Sequence, residues 1–201
     1  MTLTVAIYIF PNVEVLDFAG PFEVFTTASR VHGRRKPGDP APFRVFTVAR
    51  TEQPVTARAG LRVLPDHTIH DCPQPDILLI PGGVVDAEVD DPGLVAWVAS
   101  QSRAAALTAS VCTGAFILAR AGLLTDKAAT THWEDVEDLR RAFPQLDVRE
   151  NVRWVDEGAV VTSAGIAAGV DMSLHLVARF AGQQLAEATA RQMDVPYRVE
   201  A

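Results

Sequence analysis

The sequence predicts an α/β fold, a three-layer sandwich with helices on both faces of a mostly parallel sheet. Three observations predict it. Short apolar, β-branched runs alternate with helical stretches along the chain, the pattern of repeated strand–helix units. The clearest runs are apolar at consecutive positions, which suits strands covered on both faces. Proline, glycine and asparagine punctuate their ends, as at Pro11-Asn12 and Pro81-Gly82-Gly83, where the chain must turn into the next element.

The elements follow in order. Leu3 to Phe10 is the first strand, β-branched and aromatic without a breaker. After a loop at Glu14 to Asp17, Pro21 opens a helix over Phe22–Val31, since proline suits a first turn. His32 to Pro42, rich in glycine and proline, is a surface loop with a solvated basic tip at Arg34, Arg35 and Lys36. Phe43–Ala49 is the second strand and Gly60–Asp66 a shorter third. Asp76–Ile80 is a buried strand ending at Pro81, and Asp91–Arg103 is a helix. Ala105–Val111 is a strand feeding a helix at Thr113–Ala121, which Gly122 ends. A short strand at Ala128–Thr131 and a helix at Trp133–Phe143 come next. Asp147–Trp154 and Ala159–Ser163 are strands around a turn at Asp156-Glu157-Gly158. Ala168–Met193 is helical, with Gly182 as its break.

Composition bounds what such a fold does. A chain of 201 residues, 48% hydrophobic and 21% charged, can bury one sizeable core, and a single domain over 1–201 is expected. Eighteen basic against 25 acidic residues give a net charge of −7, a poor match for DNA or an anionic membrane. Neither nucleic acid nor membrane is expected as a partner. Two cysteines rule out a disulfide framework and fit a reducing, cytoplasmic setting. The N-terminus lacks the basic start of a signal peptide, and the uncharged run Ala104–Ala119 is short for a span. His67, His70 and Cys72 have no tetrahedral ligand spacing, so no metal site is expected.

In parallel sheets, ligands sit at the carboxyl ends of strands, and three motifs stand there. In Ala109-Ser110-Val111-Cys112-Thr113-Gly114 a strand runs into a helix with cysteine at the junction, the layout of a nucleophile elbow. The helix N-terminus is expected to lower the thiol pKa. A buried structural cysteine is the plainer alternative. Gly82 and Gly83 let backbone approach a ligand and offer N–H donors, with the N–H of Thr113, as an oxyanion hole. An ordinary tight turn is the alternative. Asp17, in Leu16-Asp17-Phe18-Ala19-Gly20-Pro21, is an acid among apolar neighbours. It is either a helix cap or a proton carrier facing Cys112.

These motifs, with Thr130-Thr131-His132-Trp133 and Thr162-Ser163-Ala164-Gly165 followed by Asp171-Met172-Ser173-Leu174-His175, resemble the ThiJ/PfpI superfamily over nearly the whole chain. The resemblance implies a flavodoxin-like fold of the class I glutamine amidotransferase kind. The nearer likeness is to the branch holding isonitrile (isocyanide) hydratases and the N-terminal domains of AraC-type regulators. It implies that Cys112 is the nucleophile and that Asp17 takes the place of a glutamate that touches the cysteine elsewhere in the superfamily. It implies that Thr113 positions the reacting group, that Gly82 and Gly83 form the backbone pocket and that His132 lies near the site. It also implies a homodimer acting on a small molecule without a cofactor. Thr113 stands where the protease-like branch has histidine, which weighs against protease chemistry.

The function expected is therefore hydration of an isonitrile to an N-substituted formamide. A glyoxalase- or deglycase-like reaction, using His132 as base, is the alternative, and a non-enzymatic sensor of a small molecule or of oxidation is another. The chain's end at Ala201 without a basic extension weighs against a DNA-binding regulator. An apolar pocket and an uncharged substrate are expected. Of the remaining residues, Cys72 is read as a bystander, His175 as the partner of Asp171 one turn earlier, and Glu23 as an acid placed for the helix dipole.

Overall fold

The computed structural model describes residues 1–199. Its strands are β1 (Leu3–Tyr8), β2 (Phe43–Ala49), β3 (Val55–Thr56), β4 (Arg62–Val63), β5 (His67–Thr68), β6 (Ile77–Ile80), β7 (Leu107–Val111), β8 (Ala128–Ala129), β9 (Asp147–Val148), β10 (Trp154–Asp156) and β11 (Val160–Ser163). Its α-helices are α1 (Val15–Arg35), α2 (Asp86–Val89), α3 (Pro92–Ala104), α4 (Gly114–Arg120), α5 (Val136–Ala142), α6 (Ala168–Ala181) and α7 (Gln183–Met193).

Seven strands form one sheet in the order β10-β11-β7-β6-β1-β2-β5. All its pairings are parallel except the β10–β11 hairpin. The central parallel strands β6 and β7 are buried along their length because both faces are covered. Ile77–Ile80 and Leu107–Val111 have no exposed position, as their unbroken apolar runs demand. Helices α1, α6 and α7 pack on one another, and α2, α3 and α4 form a second group. From β1 the chain moves to β2 on one side, then returns to β6 on the other. Strand order reverses there, and a crevice opens at such a point. The loops after β1, β6 and β7 all meet at it, and a bridge between Val13 and Gly83 ties the first two together.

Four expected elements are corrected. Helix α1 starts at Val15, so Pro21 lies inside it and Asp17 in its first turn. Pro21 lacks the N–H that would bond the Asp17 carbonyl, yet burial of the helix face, including Phe18, Val24 and Phe25, carries the helix through. The strand expected at Gly60–Asp66 is only Arg62–Val63, in a separate antiparallel pair with Val55–Thr56. His67–Thr68 supplies the sheet edge instead. The strand expected at Asp147–Trp154 is broken by Asn151, at φ 61°, and its first part pairs with β8 outside the main sheet. The strand expected at Ala128–Thr131 keeps only two residues.

A buried polar knot sets the chain after β6. The Tyr8 hydroxyl donates to Glu88 Oε2 at 2.6 Å, and Arg50 bridges Glu88 at 2.8 Å and Asp91 at 2.6 Å. This fixes α2 and the start of α3 against β1 and β2, and with them one wall of the crevice.

Candidate active site

Cys112 directly follows β7 and takes φ 56°, a left-handed conformation costly for a side chain with Cβ. Three contacts hold it. Its N–H donates to Ser163 O at 3.1 Å, and its carbonyl accepts the Thr131 hydroxyl at 2.9 Å. Two residues on, a Cβ on Gly114 would overlap the Ile80 carbonyl oxygen, so only glycine lets α4 start this close to β6. The result is a bent junction with a nearly buried thiol.

Asp17 is fully buried. Its Oδ2 accepts the Gly82 N–H at 3.1 Å, while Oδ1 has no hydrogen-bond partner among the described residues. Burial pushes this carboxyl up to about 7. The Gly82 N–H and the neighbouring Cys112 thiol pull the other way, and Glu14 adds to the rise. Asp17 is thus a buried carboxyl poised near neutrality and not a helix cap, since Glu14 occupies the cap position.

The thiol is raised rather than lowered. Burial is the first cause and the charge of Asp17 the second, and together they push Cys112 up to about 12 against the pull of Thr113. The expected dipole effect loses because α4 has seven residues and desolvation outweighs it.

Gly82, Gly83 and Thr113 form one knot. A Cβ on Gly82 would come within 2.6 Å of the Thr113 nitrogen and 2.8 Å of Cys112 Cβ. The Thr113 hydroxyl accepts from the Gly83 N–H and donates to the Gly83 carbonyl, both at 2.9 Å. Both glycine N–H groups expected as oxyanion donors therefore already have acceptors, Asp17 and Thr113. The two glycines bring those side chains against Cys112.

An open cleft of about 720 Å³ leads to the thiol. Cys112, Thr113 and Gly83 reach it, as do Phe116, Ile166 and His132. His132 Nδ1 lies 3.3 Å from Asp135 Oδ2, and its ring packs where a Cβ on Gly165 would stand. The pocket is mixed rather than apolar throughout, with Val85, Val89, Phe116 and Ile166 beside charged groups. Its walls carry Glu14, Asp86, Asp90, Glu134, Asp135 and Asp138, because the chain after β6 and after Thr131 is acidic. Sequence reasoning missed these residues and Thr131. Asp135, three residues after His132, had a readable spacing, whereas Glu14 and Arg58, joined at 3.2 Å, meet only through the fold.

The other singled-out residues lie elsewhere. His175 bonds Asp156 at 2.7 Å rather than Asp171, which takes Arg153. Glu23 pairs with Arg30 at 2.7 Å.

The model of the DJ-1/PfpI family matches residues 3–179. The chain belongs to this family. Among curated relatives, the isonitrile hydratase of Pseudomonas putida is 33% identical over 195 residues, covering 96% of this chain and 79% of the hydratase. The HTH-type transcriptional regulator CdhR of Pseudomonas aeruginosa is 30% identical over 182 residues, covering 90% of this chain and 52% of the regulator. A crystal structure of a ThiJ/PfpI family protein from Pseudomonas syringae superposes with a TM-score of 0.84 at 29% identity, covering 99% of this chain and 78% of that one. The DJ-1/PfpI family thus includes both an enzyme and regulators similar to this chain. Among the described residues no helix is long and apolar enough to cross a membrane.

Proposed function

We propose that this family member is an isonitrile hydratase-like hydro-lyase, with Cys112 as nucleophile and Asp17 as proton carrier. The observation that carries the reading is the pair itself: a thiol beside a fully buried carboxyl with an unpartnered oxygen. Likeness to the Pseudomonas putida hydratase supports it.

An isonitrile, R–N≡C, ends in a carbon that can take both a proton and a nucleophile. Asp17 accepts the thiol proton and passes it to that carbon while sulfur bonds to the same atom. A C–H and a C–S bond form, the N≡C bond becomes N=C, and the product is the thioimidate R–N=CH–S–Cys112. Water then adds to the carbon and a proton reaches nitrogen. The C–S bond breaks, the thiol regains its proton and R–NH–CHO leaves. The sum is one isonitrile plus one water giving one formamide. A neutral thiol at rest suits this scheme, because proton transfer and attack are coupled in one site. Thr113 fixes the pocket floor through Gly83, and His132 borders the substrate. The reading extends to a single domain working as a cytoplasmic homodimer without a cofactor.

The test is formamide release from a simple alkyl isonitrile. Turnover that persists in Cys112→Ala sinks the mechanism. A second reading, carbonyl chemistry of the glyoxalase kind, is favoured by the His132–Asp135 pair on the cleft wall. Methylglyoxal turnover lost in His132→Ala, with no isonitrile turnover, would select it. Absence of both activities with tight metabolite binding would select a sensor.

A further inference from the structure

Water that ends the hydratase cycle enters through the cleft, and Asp17, fully buried, does not line it. His132 does, together with Cys112 and Thr113. Its place is tied to the cysteine junction. The preceding residue, Thr131, donates its hydroxyl to the Cys112 carbonyl at 2.9 Å. The chain then turns, with the Asp135 N–H donating to the His132 carbonyl at 2.9 Å. That turn brings Asp135 back to the imidazole: Nδ1 lies 3.3 Å from Asp135 Oδ2, with Glu134 Oε2 farther out at 3.7 Å. The side chain is only 16% exposed. Its ring rests over Gly165, where a Cβ would stand 1.9 Å from His132 Cδ2, so only glycine leaves the ring its room. A proton on Nδ1, facing Asp135, leaves the Nε2 lone pair free. Nε2 has no protein hydrogen bond among the described residues. The charge of Asp135 is felt at the Cys112 thiol, which keeps the pair within electrostatic reach of the sulfur.

We propose that His132, oriented by Asp135, is the base that activates the hydrolytic water; the inference rests on the hydratase reading above and supplies the second half of its cycle. After attack the carbon is held as R–N=CH–S–Cys112. His132 Nε2 takes a proton from water as the water oxygen bonds to that carbon. The N=C π pair moves to nitrogen, which receives the same proton from His132, giving R–NH–CH(OH)–S–Cys112. The C–S bond then breaks with its pair on sulfur, the hydroxyl proton passes to sulfur, and R–NH–CHO leaves. Thiol and imidazole end as they began, and water is the only co-reactant. Asp135 is a positioning residue. It holds the imidazole with Nδ1 protonated and balances the charge that forms on the ring. The two halves of the reaction thus use two proton carriers, a buried one for attack and a cleft-side one for water.

The test separates attack from hydrolysis in His132→Gln. Mixed with a simple alkyl isonitrile, this variant is expected to consume about one equivalent per site in a burst and then to slow. Mass spectrometry of the intact protein should show a gain equal to the mass of the isonitrile, placed on Cys112 by peptide mapping. In the steady state kcat and KM are expected to fall together by about 10²-fold, with kcat/KM little changed, because attack proceeds and only release of the adduct slows. Asp135→Asn should show the same pattern in weaker form. General disruption of the site would instead lower kcat/KM and leave no adduct. A wild-type kcat in His132→Gln, or a lower kcat without adduct, overturns the inference while the hydratase reading stands. Wild-type protein that neither releases formamide nor consumes isonitrile overturns the hydratase reading, and the inference with it. If His132→Gln does not fold, Asp135→Asn decides on the same criteria.

Discussion

Cys112 and Cys72 are both raised by burial, to about 12 and about 11, and both border a negative charge, Asp17 for one and Asp71 for the other. What separates them is the company of the sulfur. Cys72, half-buried beside Pro73, donates its thiol to the Pro73 carbonyl at 3.3 Å. Cys112 sits on a left-handed junction over a cleft, facing a carboxyl that is itself poised near neutrality. Thiol pKa alone ranks the two cysteines nearly alike. On the hydratase reading, reactivity is a property of the pair: Cys112 needs no standing thiolate, because Asp17 takes its proton.

The largest effect that tests this contrast is loss of the sulfur. Cys112→Ala is expected to abolish formamide release, while Cys72→Ala keeps it within about 2-fold, since Cys72 does not line the cleft. Measurable turnover in Cys112→Ala, or its loss in Cys72→Ala, would break the comparison.

Asp17→Asn comes next. The amide preserves shape but carries no proton to the substrate, and kcat is expected to fall by about 10²–10³-fold. Alkylation by iodoacetamide should move the opposite way. With the Asp17 charge gone, the Cys112 thiol pKa drops from about 12, while that of Cys72 stays near 11. Faster alkylation with slower turnover is the signature of a proton carrier. A parallel fall in both points to simple disruption of the site.

The same variant sharpens the contrast through stability. Below about pH 4 Asp17 is protonated in folded and unfolded chains alike. As pH rises toward about 7 the unfolded chain ionises first, so the wild type loses stability across that window. Above it the cost is constant, at most about 4 kcal/mol for a carboxyl pushed up to about 7. Asp17→Asn has no such cost. Its melting temperature should exceed that of the wild type at pH 8, with the gap closing at pH 4.

Much of this was legible in the residues. Consecutive apolar runs gave the parallel sheet, and the Ser110-Val111-Cys112-Thr113-Gly114 order gave a strand-to-helix junction at the cysteine. What escaped was set by distance in the chain. Nothing local to Val15–Gly20 says that a helix starts before a proline, because the energy comes from burial against β2, α6 and α7. Nothing local to Gly82 and Gly83 says that their N–H groups are taken by Asp17 and Thr113, 65 and 30 residues away. The sign of the thiol shift also depends on how much water reaches the site. A helix start can be read from spacing, but desolvation cannot.

The smallest effect concerns what holds the junction. At Cys112 the carbonyl accepts the buried Thr131 hydroxyl, and no side chain of this kind holds the Cys72 carbonyl among the described residues. Thr131→Val keeps the volume and leaves that carbonyl only the longer bond from the Ala115 N–H, at 3.3 Å. A buried hydrogen bond lost in this way costs about 1–3 kcal/mol, which denaturant unfolding can read. Part of the loss should appear as catalysis, because a more weakly held carbonyl lets the strained φ of Cys112 relax and moves the sulfur away from Asp17. The expected result is a drop in kcat of about 3- to 10-fold with KM little changed. Thr131→Ser restores the hydroxyl and should recover kcat more than it recovers stability, since the lost methyl is also buried. Equal recovery of both would mean that Thr131 matters to the core alone, and that the junction holds its shape without it.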